Sequence, residues 1–334
     1  MKKIFLLFLF LSTLISAQVS RTGTNSFFDD SETADYPINS IFIQGEVENP
    51  GVVDLTNLPQ NGFPVKDFSY GKEKNRFNGA YYVSGYSLYE ILNLKNVIKI
   101  NSEEFKPFVD LYVIVENEKG DKAVFSWGEI FYSKDNFKII ITKSARAINP
   151  SKMKMKWTPP AEPVLICGND AFNCRFISDP TKITVKSFAG VFSKERVKEI
   201  YVPEMKVVNG AETVIKDISG IERRKFFGIG YGHGMGWKGT DNVEGFVFAE
   251  ILRTHLKLDM PEIGNTIVCV SSKDGYRATF SLSELINRND MNDFLLIEKT
   301  GMPDEGKYNL FATPDFFVDR NVRSVEKIEF LKMK

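Results

Sequence analysis

Histidine is almost missing from this chain: only His233 and His255 stand among 334 residues. Cysteine is nearly as scarce, with Cys167, Cys174 and Cys269. Three thiols are too few for a disulfide framework. Neither histidine is accompanied by a Gly-x-Ser-x-Gly elbow, so no Ser/His/Asp or Cys/His set can be assembled. Excess charge of one sign is lacking too, because Lys plus Arg and Asp plus Glu both number 43. No net field draws the chain to nucleic acid or anionic lipid, and no basic stripe interleaved with aromatics supplies a local one. Long apolar runs are absent after the first residues. There, Lys2 and Lys3 precede the apolar stretch Ile4 to Ile15, and the small pair Ser16-Ala17 follows. That order predicts a signal peptide over 1–17, and its apolar run is too short for a comfortable membrane span. The mature chain is expected to be exported, periplasmic or secreted, with no membrane span left after cleavage.

What is present is repetition. "VIVENEKGDKAVFSWGEIF" (113–131) and "VCVSSKDGYRATFSLSELI" (268–286) agree at seven of nineteen positions without a gap. Upstream, "GYSLYEIL" (85–92) matches "GFVFAEIL" (245–252). Downstream, "CGNDAFNCRFISDPTKITV" (167–185) matches "ATPDFFVDRNVRSVEKIEF" (312–330) at Asp170/Asp315, Phe172/Phe317, Arg175/Arg320, Lys182/Lys327 and Ile183/Ile328. Blocks repeated in one order mark a duplicated unit of ordinary domain size. The first unit is expected over 37–186 and the second over 195–334, joined by "SFAGVFSKER". The polar, turn-rich segment 18–36 predicts a disordered tail.

Each unit predicts the same elements. A first strand (Ser40–Val47; 199–205) leads through a polar loop to a glycine-containing stretch and a short amphipathic helix (Leu88–Leu94; Val247–Leu256). An alternating strand (Leu111–Val115; Thr266–Val270) turns at Lys119-Gly120 or Asp274-Gly275, which suit a hairpin needing positive φ. The fold class is α+β and mainly β, with no strand–helix–strand alternation.

These residues resemble the sulfite-oxidase-type molybdopterin-binding domain. "IFIQGEVENPGVVDLTNLP" (41–59) looks like that domain's opening Gly-x-Val-x-Asn-Pro strand and turn. "SGYSLYEIL" is similar to its helix start, 268–286 to its hairpin, and "LFATPDFFVDRNVRSVEKIEF" (310–330) to its closing block. The resemblance covers both units and implies two tandem copies of that fold. It further implies a molybdopterin cofactor whose metal takes one cysteine thiolate, a soft ligand that sets geometry and potential. Relatives place this cysteine in the segment corresponding to 69–82 and 228–239, where this chain has none. Cys167, in "CGN", aligns with Ala312 in the closing block and so comes from the wrong part of the unit. The expectation is a non-catalytic module, binding a small molecule or a protein partner, that has lost the metal ligand; no cofactor is assigned, and molybdopterin is implied by the resemblance alone. The alternative is a periplasmic molybdopterin-dependent oxidoreductase with an atypical site in the second unit.

The segment "GIGYGHGMGWKGTDNVEGF" (228–246) is read as the pocket segment. Tyr231, His233, Trp237 and Lys238 in it, with Arg320, are the candidate ligand-binding residues. His233 offers a group that titrates near neutrality, with Asp241 or Glu244 as partner. Its plainer reading is a loop histidine packed on Trp237 or Tyr231. Gly234, Gly236 and Gly239 form a Gly-x-Gly-x-x-Gly that does not open into a helix, as a nucleotide fingerprint must. Arg175 and Arg320 are expected to pair with Asp170 and Asp315, or Arg320 to meet a ligand phosphate. Glu129 and Glu284 sit where a carboxylate favours the first turn of a helix. Cys167 and Cys174 are candidates for a disulfide, although spacing does not fix their Cα separation, and Cys269 for a buried thiol.

Overall fold

A computed structural model describes residues 31–333, apart from 72, 151, 153, 155, 193–199, 257–259 and 300–305. The expected signal peptide therefore lies outside the described residues. So do Glu195, where the second unit was expected to begin, and most of the expected tail.

The chain is mainly β. In the first half the strands are β1 (Thr33–Asp35), β2 (Ser40–Gly45), β3 (Gly51–Asp54), β4 (Asn61–Ser69) and β5 (Arg76–Ser87). Helix α1 (Leu88–Leu92) follows, then β6 (Leu111–Asn117), β7 (Lys122–Ser126) and helix α2 (Trp127–Phe131). Strands β8 (Ile139–Ala147), β9 (Val164–Cys167), β10 (Ile177–Ser178) and β11 (Pro180–Ser187) close the half. The second half repeats this as β12 (Met205–Asn209), β13 (Ala211–Ile215), β14 (Arg223–Gly232), β15 (Gly236–Val247) and α3 (Phe248–His255). It continues with β16 (Thr266–Ser272), β17 (Arg277–Ser281), α4 (Leu282–Ile286), β18 (Leu295–Glu298), β19 (Tyr308–Phe311) and β20 (Val325–Lys332).

Hydrogen bonding repeats with the elements. One sheet of the first half runs β3-β2-β11-β6-β7, and its counterpart runs β13-β12-β20-β16-β17. The other pair runs β10-β9-β8-β5-β4 and β19-β18-β15-β14. Even a parallel pairing recurs: Ile43 lies opposite Ile183, and Val207 opposite Ile328. Gly45 shows why one glycine is needed. Its φ is +91°, and a Cβ there would stand 2.1 Å from the Val185 carbonyl oxygen.

Three expectations are corrected. The glycine-rich segment is no loop, because β14 and β15 pair through it as one long antiparallel hairpin. The first strand of the second half is Met205–Asn209 rather than 199–205, since Met205 and Val207 are the residues that face the core. Residues 33–36, expected within a tail, add β1 to β8 and bury Tyr36, whose hydroxyl donates to the Pro160 carbonyl at 2.8 Å.

The two halves pack face to face through β6, β7, β16 and β17. Tyr112, Ile114, Val124 and Phe188 meet Ile267 and Cys269 in a shared apolar cluster. Strands covered on both faces need apolar residues at consecutive positions rather than alternate ones. Hence "TIVCVSS" and "RATFS" are buried throughout.

Candidate functional site

Where the halves meet, two arginines are buried completely. Arg175 Nη2 lies 2.7 Å from Glu129 and 2.6 Å from Asp170. Arg320 Nη2 lies 2.6 Å from Asp315, and its Nη1 lies 3.0 Å from Glu284. The serines that begin α2 and α4 cross between halves. Ser126 Oγ donates to Glu284 at 2.6 Å, and Ser281 Oγ donates to Glu129 at 2.9 Å. Ser281 and Glu284 also form a reciprocal capping box at the start of α4. Backbone contacts exchange in the same way: Ala171 N–H donates to Asn287 O, and Phe316 N–H donates to Tyr132 O, both at 2.6 Å. Such swapped pairs are the signature of a two-fold relation between the halves.

For three of the carboxylates here, burial outweighs the attraction of the guanidinium groups. Burial raises Asp170 and Asp315 despite their arginines, and pushes Glu284 up to about 7. Arg320 is therefore held within the interior. The expected Arg320–Asp315 pair is present. The ligand-phosphate role proposed for Arg320 fails on geometry, because its fork is occupied by Asp315, Glu284 and Ser126.

The open site of the second half is a cleft of about 370 Å³ between the β14–β15 hairpin and the closing loop. Gly230, Lys238, Asp241, Tyr276, Val318, Asp319, Asn321 and Arg323 line it. Two hollows of about 200 and 250 Å³ continue it on either side, both lined by Asn321 and Arg323. Two glycines of the hairpin have a local reason. A Cβ on Gly232 would stand 2.6 Å from Lys238 Cε, and one on Gly230 would stand 3.1 Å from Asp241 Oδ2. They leave room for the Lys238 stem and Asp241 to lie across the strand. Lys238 is at a β-bulge, where the register shifts between Gly230/Gly239 and Tyr231/Trp237. A bulge of this kind re-aims one side chain.

The remaining candidates divide. The His233 backbone N–H donates to Asp319 Oδ2 at 2.8 Å, which pins the hairpin tip to the closing loop. The His233 ring packs on Tyr132 and Phe317, at 6.0 and 5.2 Å between centroids, rather than on Trp237. Tyr231 packs on Phe316 and Phe317. Burial pushes Tyr132 up to about 12, so it stays a neutral phenol. Trp237 points to solvent and lines no part of the cleft. Of the candidate residues the structure thus brings Lys238 into the cleft, Tyr231 and His233 beside it, and leaves out Trp237 and Arg320. Tyr276, Asp319, Asn321 and Arg323 escaped sequence reasoning. Their signal was divergence between the aligned repeats, where Arg323 stands opposite Ser178.

Cys167, Cys174 and Cys269 are all free thiols, so the candidate Cys167–Cys174 bridge is not formed. Cys167 Sγ lies 3.1 Å from Arg175 Nη2, and Cys174 Sγ lies 3.6 Å from Asn287 Nδ2. Among the described residues, no group of three His, Cys, Asp or Glu side chains is placed to hold a metal ion. No helix among them is long and apolar enough to cross a membrane. Compared with known proteins, the chain matches no family model and no curated protein.

Proposed function

We propose that this chain is an exported, non-catalytic binding module made of two tandem repeats resembling the sulfite-oxidase-type molybdopterin-binding domain. Its ligand site is the cleft under the second hairpin. One observation carries this reading: the cleft is polar and open, whereas the cluster around Arg175 and Arg320 is sealed between the halves. Pockets with a few convergent polar groups are the usual places of small-molecule recognition.

The residues do not fit the molybdopterin metal that the resemblance implies. Neither 69–82 nor 228–239 carries a thiol, and the three thiols are committed elsewhere. Cys167 is buried against Arg175, and Cys269 lies within the interface cluster. Cys174 is pushed up to about 11 by burial, against the thiolate that a metal requires. No chemical step is assigned to that group.

Lys238 provides the test. Amine-reactive labelling of the mature chain, read by peptide mass spectrometry, is expected to fall at Lys238 when a small-molecule extract of cells is added. Surface Lys216, paired with Glu204, is expected to label unchanged. Equal labelling of Lys238 with and without extract refutes the cleft. About one molybdenum per chain together with an oxidised pterin, from a host that makes the cofactor, refutes the non-catalytic reading.

A further inference from the structure

The duplication supplies an internal control for the cleft, since the first repeat shows what the fold itself demands at each position. Both long hairpins carry a bulge at the same place. In the first, the register shifts between Asp67/Gly79 and Phe68/Phe77, so Asn78 is the bulged residue. Asn78 Nδ2 donates to Asp67 Oδ1 at 3.0 Å, and Asn173 Nδ2 donates to the same oxygen at 2.7 Å. That bulge is closed by its own neighbours. In the second repeat the bulged residue is Lys238, and Gly230 stands where the first has Asp67. The lysine thus lacks the carboxylate that the fold provided elsewhere.

The same contrast holds around the cleft. Counted from the bulge, three residues on in each hairpin, Tyr81 and Asp241 are equivalents. Tyr81 is buried in an apolar cluster that Phe176 packs against, and Phe176 is the equivalent of Asn321. Ser178, the equivalent of Arg323, belongs to the short strand β10. The first repeat therefore fills this place with aromatic rings. The second keeps it open and lines it with Lys238, Arg323, Asp241 and Asp319. Among the described residues, none of these four has a salt-bridge partner. Two cations and two carboxylates facing one small volume complement a molecule that bears both charges. A plain anion would meet the aspartates, and a plain cation would meet Lys238 and Arg323. Arg323 adds a planar fork suited to a carboxylate.

The geometry points to a zwitterionic small molecule of the amino-acid class as the ligand, its carboxylate on Arg323 and Lys238 and its ammonium on Asp241 and Asp319. This rests on the cleft being the binding site. Saturation-transfer NMR on the full mature chain tests it, with the twenty L-amino acids as one probe set. Succinate and glycerol 3-phosphate serve as anion-only probes, and 1,4-diaminobutane as the cation-only probe. At least one amino acid is expected to give a signal, and the single-charge probes none. The paired change Lys238→Asn and Arg323→Ser, which restores the first repeat's residues, is expected to weaken that amino acid about tenfold or more while leaving the melting temperature in place. An anion-only probe binding as well as any amino acid overturns the ligand class, as does binding that survives the paired change. Silence from every amino acid, with Lys238 still protected by the cell extract, overturns the ligand class and leaves the cleft standing. Silence from both removes the cleft as well.

Discussion

Ser126 of the first repeat gives its hydroxyl proton to Glu284 of the second, at 2.6 Å, in a site closed to water. Its Oγ also accepts from the Glu129 backbone N–H at 3.0 Å and caps its own helix. One hydroxyl thus ties a local helix start to the contact between halves. Ser126→Ala removes the cap and leaves a buried acceptor short of a donor, effects worth about 1 and about 1–3 kcal/mol. Glu284→Gln keeps the shape but changes the acceptor. Denaturant titrations of both single changes and the double are expected to be non-additive, because the residues touch. Strict additivity counts against the pairing.

Arg320→Met is expected to cost about 3–5 kcal/mol, since it leaves Asp315 and Glu284 buried without their cation. Arg320→Lys is not expected to rescue it, because a single ammonium cannot replace the fork that reaches Asp315, Glu284 and Ser126 together. Urea midpoints of the three proteins check this ordering.

Stability should depend on pH through Glu284. Burial lifts its folded value to about 7, from a usual value of 4.5. Between those values the folded chain keeps a proton that the unfolded chain has released. The stability from this protonated carboxyl is complete below the unfolded value and is lost as pH rises through about 7. Glu284→Gln stays neutral at every pH, so its melting temperature should decline less than the wild type's across that window. Parallel curves would show that Glu284 does not titrate there.

Cys174 is held protonated by burial up to about 11, and burial raises Cys167 and Cys269 as well. Iodoacetamide at pH 8 is expected to modify the native chain far more slowly than a free thiol, and all three cysteines together once urea unfolds it. Rapid native labelling of Cys167 would contradict its place against Arg175.

Gly45→Ala places a Cβ at positive φ and against the Val185 carbonyl. A loss of about 2 kcal/mol or more is expected from the backbone alone, read as a lowered melting temperature.

Repetition and patterning made much of the β architecture legible, and for a definite reason. Elements with one buried face, such as α3, or with both faces covered, such as β16, carry periodicities that survive in sequence. The hairpin at 228–246 was misread because seven glycines hide the alternation of Phe227, Ile229 and Tyr231. Gly230 and Gly232 answer to Asp241 and Lys238 from the other strand, which no local pattern records. Arg320 was paired correctly with Asp315, yet Glu284 and Ser126 came from elements distant in sequence. The cleft was legible at Lys238 and, through its expected pairing with His233, at Asp241. Its other walls become visible when the repeats are compared where they disagree.

That disagreement sits beside a contact that is symmetric, the swapped serines. If two copies of one short chain met through such a symmetric contact, any change at the bulge would appear on both sides. Joining the copies in one polypeptide separates their fates. Asparagine can remain at residue 78, closing one hairpin for stability, while lysine at 238 opens the other. The charged seam at the centre keeps the halves in register, so one can serve as the frame on which the other specialises.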